Sequence, residues 1–536
     1  MSTESRVPAL LGLAKKYGQE HIFKFWDELN SSQQDTLEKC LKDFDFQSIP
    51  RLFKTPSKIP RNLEDRLKPP ERDICGSLAE LRLKNSALLE KYVQTGLKAV
   101  HEGKVAVLLL AGGQGTRLGV KYPKGLYCPD LPSGRSLYQI QAEHLHRVAT
   151  LAMQKFGSLP TIPWYIMTSE RTEEVTLAYF KSHNYFGHDS KNVIFFEQFA
   201  LPAFDSNGKI LLEKKHKISM APDGNGGLYR ALRERHIIED MASRGVEYVQ
   251  VYGVDNILVK LPDLPFIGFS IDRAVECADQ VVEKVDPAEP IGVVGMVDGR
   301  YQVVEYSEIS PETAALRNDG TLQDGAVNHM PANGNVHKHS ERLTYSHGNI
   351  CVHFFTRKFL ERVTQPEIES SLKYHVAKKK IPHVDLTTGQ VVTPTEPNGV
   401  KFEKFVFDVF PFAEHFGLWE VPRNEQFSPL KNGPNEKKDC PLTSRHDYLA
   451  YHRRLAEAAG ARFVDAENGG IEQHANGCTN GDSGNSSETV IEISPLITYS
   501  GENLECLKDK VLKGVNLLEL AEDTREPKLL RVNPIH

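Results

Sequence analysis

The amino-acid sequence predicts an α/β protein. A central domain with a mostly parallel mixed sheet should carry a smaller helical domain before it and a smaller α+β domain after it. Three observations carry this expectation. Apolar runs of strand length alternate with amphipathic helical stretches between residues 104 and 256, the pattern of a parallel sheet covered on both faces. Residues 8 to 100 repeat apolar side chains at three- and four-residue intervals, the period of a helix. The first buried run stops abruptly at Ala111-Gly112-Gly113, and ligands on such sheets collect at the carboxyl ends of strands. The boundaries read from the chain are 1–100, 101–405 and 406–536.

Taken in order, "ALLGLAKKYGQEHIFKFWDEL" is helical, and "SSQQDTLEKCLKDF" opens a helix with Ser32 as the N-cap candidate. "PSKIPRNLEDRLKPPERD" holds four prolines and is irregular, after which "CGSLAELRLKNSALLEKYVQTGLKAVHEG" returns to helix. From there strands and helices alternate. "KVAVLLLAG", "IPWYIMTS", "NVIFFEQF" and "VEYVQVYGVDN" are strands. "LYQIQAEHLHRVATLAMQKFG", "ERTEEVTLAYFKSHNYFG" and "GLYRALRERHIIEDMASRG" are the helices between them. "IGVVGMV", "YQVVEYSEI" and "GNICVHFF" then extend the sheet, and "RHDYLAYHRRLAEAAG" is a late helix. Residues 472–488 have no apolar period and read as a surface loop.

The 536 residues carry a formal net charge of −6, which argues against a nucleic-acid or membrane-surface binder. No apolar run nears the roughly 20 residues needed to cross a bilayer, and no export signal opens the chain. The eight cysteines are scattered without a CxxC pair, which does not suggest the usual zinc or redox motifs and fits the cytosol. Cys128 is expected to be a buried, inert thiol.

The chemistry concentrates in glycine-rich stretches. Gly113-x-Gly115-x-x-x-Gly119 matches neither the dinucleotide fingerprint nor the P-loop. It still offers bare backbone N–H groups at a strand end, with Arg117 as a planar fork and Lys124 as a compact charge for phosphate. The bland alternative is a tight turn with two solvated cations. "APDGNGGLYRAL" sets Gly224 and Asn225 between a strand and a helix, where Gly224 leaves room for a base and Asn225 offers a donor and an acceptor. Asp255 closes the strand "YVQVYGVDN", either as a metal ligand or as a turn cap.

Together these stretches resemble the eukaryotic UDP-N-acetylhexosamine (UDP-N-acetylglucosamine) pyrophosphorylases. The resemblance rests on "LLLAGGQGTRLGVKYPKG", "FFEQ", "APDGNGGLYRAL", "VYGVDN", "VVEYSEI", "HGNICVHFF", "LKYHVAKKKIPHVD", "NGVKFEKFVFDVF" and "EISPLITYSGENLE", in that order. It implies a glycosyltransferase-A-like Rossmann domain flanked by two smaller ones. It implies a Mg²⁺-dependent reaction, with Mn²⁺ as the alternative metal, in which UTP and N-acetylglucosamine 1-phosphate give UDP-N-acetylglucosamine and pyrophosphate. N-acetylgalactosamine 1-phosphate is a further substrate on this reading, and the protein is a monomer or a homodimer. Leu110, Ala111, Gly112 and Gly113 then line the uridine side, and Gln198 and Gly224 hold the uracil. Asn225 and Glu305 meet the sugar, Asn349 meets the sugar or its N-acetyl group, and Gly292 leaves the sugar room. Arg117, Lys124, Lys373 and Lys404 contact phosphates, with Arg117, Lys124 and Lys404 as catalytic cations, and Asp255 binds the metal. Residues 477–486 and the closing "TREPKLLRVNPIH" match no motif of the family. Other UDP-sugar pyrophosphorylases, or a nucleotide-sugar sensor without turnover, are the competing readings.

Overall fold

The computed structural model describes residues 7–42, 44, 46–54, 63–317, 342–464, 489–523 and 525–532. The polar stretch 472–488 lies outside the described residues. The protein gathers into two compact units. The larger comprises residues 64–197, 236–362 and 410–536, and the smaller comprises residues 1–63, 198–235 and 363–409.

An eleven-stranded mixed sheet forms the larger unit. Its strands in chain order are β1 (Leu67–Lys68), β2 (Cys75–Ser77), β3 (Val105–Leu110), β4 (Trp164–Thr168), β5 (Val193–Glu197), β6 (Tyr248–Gly253), β7 (Cys277–Glu283), β8 (Val293–Val297), β9 (Arg300–Val304), β10 (His347–Thr356) and β11 (Phe416–Glu420). The spatial order is β2-β11-β7-β10-β6-β3-β4-β5, with β8 pairing β1, β9 and β10. The run from β6 through β3 and β4 to β5 is parallel, and β10 inserts antiparallel between β6 and β7. All six residues of β3 are buried, as a strand covered on both faces requires. Helices Ser86–His101 and Leu137–Phe156 contribute to that cover. The second is capped by Ser136, whose hydroxyl accepts from Gln139 N (3.2 Å), and ends at Gly157 in the left-handed region, as helix termini favour.

The linear boundaries at 100 and 405 do not coincide with the units. Residues 7–53 build a core with Phe204, Ile210, Leu212, Ile218, Val384 and Phe402, whereas residues 64–101 supply β1, β2 and the helix Ser86–His101 to the larger unit. The C-terminal strands belong to the larger unit as well. Arg135 bonds Glu143 (2.8 Å) and Glu519 (2.7 Å), and Ser133 N and Oγ bond Glu492 (2.7 and 2.6 Å).

Two local expectations need correction. The second helix, Ser31–Lys42, is capped by Asn30 rather than Ser32. Asn30 Oδ1 accepts from Gln33 N (3.0 Å), while Gln33 Oε1 accepts from Asn30 N (3.1 Å), a reciprocal box that satisfies two end donors. The stretch read as one helix after Gly227 is two, Leu228–Glu234 and Ile237–Ser243, because His236 sits at φ 56°. The division between the units falls at that break.

Candidate active site

The register of the sheet assembles the first half of the site. Leu110 at the end of β3 pairs with Gly253 at the end of β6, so residues 111–113 and 254–255 leave the sheet side by side. Neighbouring strands pin the loop: Ala111 N donates to the Met167 carbonyl (2.8 Å), and the Gly112 carbonyl accepts from Ser169 Oγ (2.9 Å). A Cβ on Gly113 would meet no described atom within 4 Å. The chain's own packing therefore does not require glycine there, and the open side faces outward. Arg117, on the turn Thr116–Leu118, is exposed and forms no ion pair with a described residue. Lys124 begins the turn Lys124–Leu126 behind Pro123. A Cβ on Gly125 would lie 2.1 Å from the Tyr138 ring, so glycine is what lets that ring pack against the turn carrying Lys124. Its Nζ lies 3.5 Å from Asp255 Oδ2.

Asp255 is half-buried. Burial pushes its carboxyl up, but the Lys124 and Lys431 charges together with hydrogen bonds to the carboxylate outweigh this and hold it below the ordinary value. The carboxylate is thus ionised at neutral pH. Among the described residues no group of three or more His, Cys, Asp or Glu side chains could hold a metal by itself. One ionised, half-exposed carboxylate fits Mg²⁺, which takes few protein ligands and completes its shell with water and substrate phosphates. Lys431 and Asp439 were not legible as neighbours of this edge. Leu430 N donates to the Asp255 carbonyl (2.8 Å), and Lys431 N donates to the Asp439 carbonyl (2.8 Å). Only the fold brings these residues back from more than 170 positions away.

A second cluster gathers three residues expected at the sugar. Asn349 N donates to the Gly292 carbonyl (2.9 Å). A Cβ on Gly292 would lie 2.8 Å from Val303 Cγ1 and 3.0 Å from Glu305 Oε1. The glycine therefore makes room for Glu305, not directly for a ligand. Asn349 Oδ1 accepts from its own strand at Cys351 N (2.8 Å), and its Nδ2 donates to no described residue. Here β10 bulges against β7, with Ile350 and Cys351 fitted between the pairs Val281–Asn349 and Gln280–Val352. Cys351 has φ 58°, the local distortion that bulges introduce beside binding sites.

The smaller unit holds the remaining candidates. Gln198 is buried, and its Nε2 donates to the Gly224 carbonyl at 3.4 Å. Gly224 has φ 88°, and a Cβ there would lie 2.3 Å from the Lys404 carbonyl. The close approach of that neighbouring main chain, rather than of a base, explains the glycine in this structure. Asn225 Oδ1 accepts from Val406 N (3.0 Å) at the start of the turn Val406–Phe412. Lys373 is exposed, without an ion pair to a described residue. Lys404 was expected at a phosphate, but it is buried. Its Nζ bonds the Glu369 carbonyl (2.8 Å) and carboxylate (2.5 Å) and lies over the Tyr374 ring. Beside it, burial pushes the Asp223 carboxyl up to about 7, with Lys404 and Arg230 pulling the other way. Cys128, expected buried, is exposed. Loss of water around the sulfur and the charge of Asp130 raise its thiol pKa, so it is a weak nucleophile.

The family model described as UTP–glucose-1-phosphate uridylyltransferase matches residues 45–454. The chain belongs to this family. A family member of Xenopus tropicalis, UDP-N-acetylhexosamine pyrophosphorylase-like protein 1, is 47% identical over 505 residues, 93% of each chain. The UDP-N-acetylglucosamine pyrophosphorylase of Saccharomyces cerevisiae is 38% identical, with 92% of this chain and 96% of that one aligned. The crystal structure of uridine diphosphate N-acetylglucosamine pyrophosphorylase from Trypanosoma brucei, solved with an inhibitor, superposes with a TM-score of 0.74 at 26% identity. That alignment covers 94% of this chain and 95% of the other. The uridylyltransferase fold is the α/β fold with a mostly parallel mixed sheet that the strand pattern predicts.

Proposed function

We propose that this chain is a uridylyltransferase that makes UDP-N-acetylglucosamine and pyrophosphate from UTP and N-acetylglucosamine 1-phosphate, with N-acetylgalactosamine 1-phosphate as a further substrate. One observation carries the reading: the pairing of Leu110 with Gly253 sets open backbone at Gly113 beside Arg117, Lys124 and the ionised Asp255. Membership of the family supports it.

The nucleophile is a phosphate oxygen of the sugar 1-phosphate. With a second pKa of about 6, a phosphate monoester is mostly dianionic at neutral pH, so no general base is required. That oxygen forms a bond to the α-phosphorus of UTP in line with the bond to the β-phosphate oxygen, which breaks and leaves with pyrophosphate. The obstacle is repulsion between two polyanions. Arg117 and Lys124 offset it, and the loop amides take charge building on the transferring group. Asp255 would hold Mg²⁺, which supplies further positive charge to the phosphates.

Residues 110–113 line the nucleotide. Gln198 and Gly224 are assigned to the uracil, Asn225 and Glu305 to the sugar, and Lys373 to a phosphate. The open Nδ2 of Asn349 suits the carbonyl of an N-acetyl group, a contact that glucose 1-phosphate cannot offer. Lys404 acts on phosphate only after leaving Glu369.

The test is a panel of glucose, N-acetylglucosamine and N-acetylgalactosamine 1-phosphates, read as pyrophosphate release with and without Mg²⁺. The expected result is metal-dependent turnover of both acetylated sugars well above glucose 1-phosphate. Preference for glucose 1-phosphate would replace the sugar assignment, and UTP binding without pyrophosphate release would make the chain a sensor.

A further inference from the structure

Within the larger unit, the helices Ser86–His101 and Leu137–Phe156, the start of the helix Leu264–Asp272 and residues 499–502 line an open cleft of about 590 Å³. Its size is that of a small-molecule site. Leu89, Val93, Leu97 and Leu151 give it an apolar wall, and Lys260 lines it from another side.

Lys260 is 8% exposed. Its Nζ donates to Tyr451 Oη (3.0 Å) and the Tyr499 carbonyl (2.7 Å) and lies over both tyrosine rings. Two of its three N–H groups are thereby used. Among the described residues no carboxylate stands within 4 Å of the ammonium. Asp263, which shares the cleft wall, commits Oδ1 to Phe266 N (3.1 Å) and Oδ2 to Gln280 Nε2 (2.8 Å). The buried imidazoles of His144 and His452 are held neutral, first by burial and then by the lysine charge itself. This buried ammonium keeps one N–H without a described partner at the edge of a mainly apolar space, while the Asp263 carboxylate on the same wall is held by other donors, so the place is complementary to an anion.

We propose that this cleft binds a small apolar monocarboxylate, with its carboxylate on Lys260 and its body against Leu89, Val93, Leu97 and Leu151. The other cations of the lining do not recruit a polyanion. Arg82 is paired with Glu425 (2.8 Å), and Lys155 is bound to Gln94. Glu90 and Glu502 also line the space. Nucleotides and sugar phosphates, with several negative charges, are excluded on the same ground.

The experiment is calorimetric titration of the full chain with decanoate and with the neutral 1-decanol. Decanoate should bind one saturable site, about tenfold or more tighter than decanol, as a charge-assisted hydrogen bond predicts. Saturating UTP should leave that affinity unchanged. Lys260→Met should erase the preference for the carboxylate, and Val93→Trp, on a half-buried wall position, should abolish the saturable site. Equal affinity for the two probes on the unaltered protein overturns the proposal without recourse to any variant. Decanoate binding that survives Val93→Trp, or that UTP displaces, overturns it as well. Binding is read without turnover, so the result stands apart from the sugar-phosphate panel.

Discussion

Lys124 Nζ and Asp255 Oδ2 stand 3.5 Å apart although 131 residues separate them in the chain. Their side chains are 17% and 24% exposed, so each keeps a face for a ligand while fixing the other. The lysine holds the carboxylate ionised, and the carboxylate holds the lysine at the sheet edge.

Removing one of these charges should therefore act on chemistry more than on folding. Arg117→Ala and Lys124→Ala should each lower kcat by ~10²–10³, the usual cost of one contact to developing charge, with unchanged circular dichroism. Asp255→Asn should shift the Mg²⁺ dependence of turnover to higher concentration. An unshifted metal titration would remove Asp255 from the metal, and near-normal kcat in both cation variants would remove them from the transition state.

Gly292 gives a sharper probe of the sugar assignment. A methyl group there would press on Val303 and on the Glu305 carboxylate, displacing the side chain assigned to the sugar hydroxyls. Gly292→Ala should raise the KM for sugar 1-phosphate by about tenfold, the value of one hydrogen bond to a charged group, and leave the KM for UTP near that of the unaltered protein. Equal rises in both constants would show a general distortion instead. Asn349→Ala should narrow the preference for acetylated sugars over glucose 1-phosphate.

Much of the larger unit was legible because a parallel sheet writes itself locally. The apolar runs at residues 105–110, 164–168, 193–197 and 248–253 stand out, and the helices between them have a period. The site edge followed from where those runs stop. What stayed hidden depends on contacts across the chain. Asn30 outcompetes Ser32 as a cap only because Gln33 answers it. Lys404 looks like any other lysine until Glu369 is placed beside it. Lys431 lies in a polar stretch with no periodic signal and reaches Asp255 only through the bond from Leu430 N. The division into units was illegible for a similar reason: residues 7–53 find their apolar partners near 204–218 and 384–402, and no composition change marks that choice.

The Lys404–Glu369 pair separates a structural role from a chemical one. Both groups are nearly out of water, with side-chain exposures of 4% and 12%. Lys404→Met would strand the carboxylate, and breaking one side of a buried pair costs about 3–5 kcal/mol. Replacing both, as in Lys404→Met/Glu369→Met, should return most of the lost Tm, because two apolar side chains then meet. Turnover should not return with it, since the ammonium assigned to phosphate is gone. Recovery of kcat together with Tm would make Lys404 a packing residue alone.

Asp223 should make the stability of the protein fall as pH rises. Its carboxyl has an ordinary value of 3.8 and is pushed up to about 7 by burial in the folded chain. Between those values the folded state holds a proton that the unfolded state has released. Each step upward in pH through that window therefore favours unfolding. Below the lower value both states are protonated and the penalty is absent. Above the upper value both are ionised and it is fully present. Asp223→Asn keeps an oxygen for Gln198 Nε2 to reach, now 3.5 Å away, and removes the titration. The gain in Tm over the unaltered protein should thus be larger at about pH 8 than at about pH 5. Thermal melts at the two pH values decide it. An equal gain at both would mean that Asp223 is ionised in the folded protein throughout, with Lys404 and Arg230 outweighing its burial.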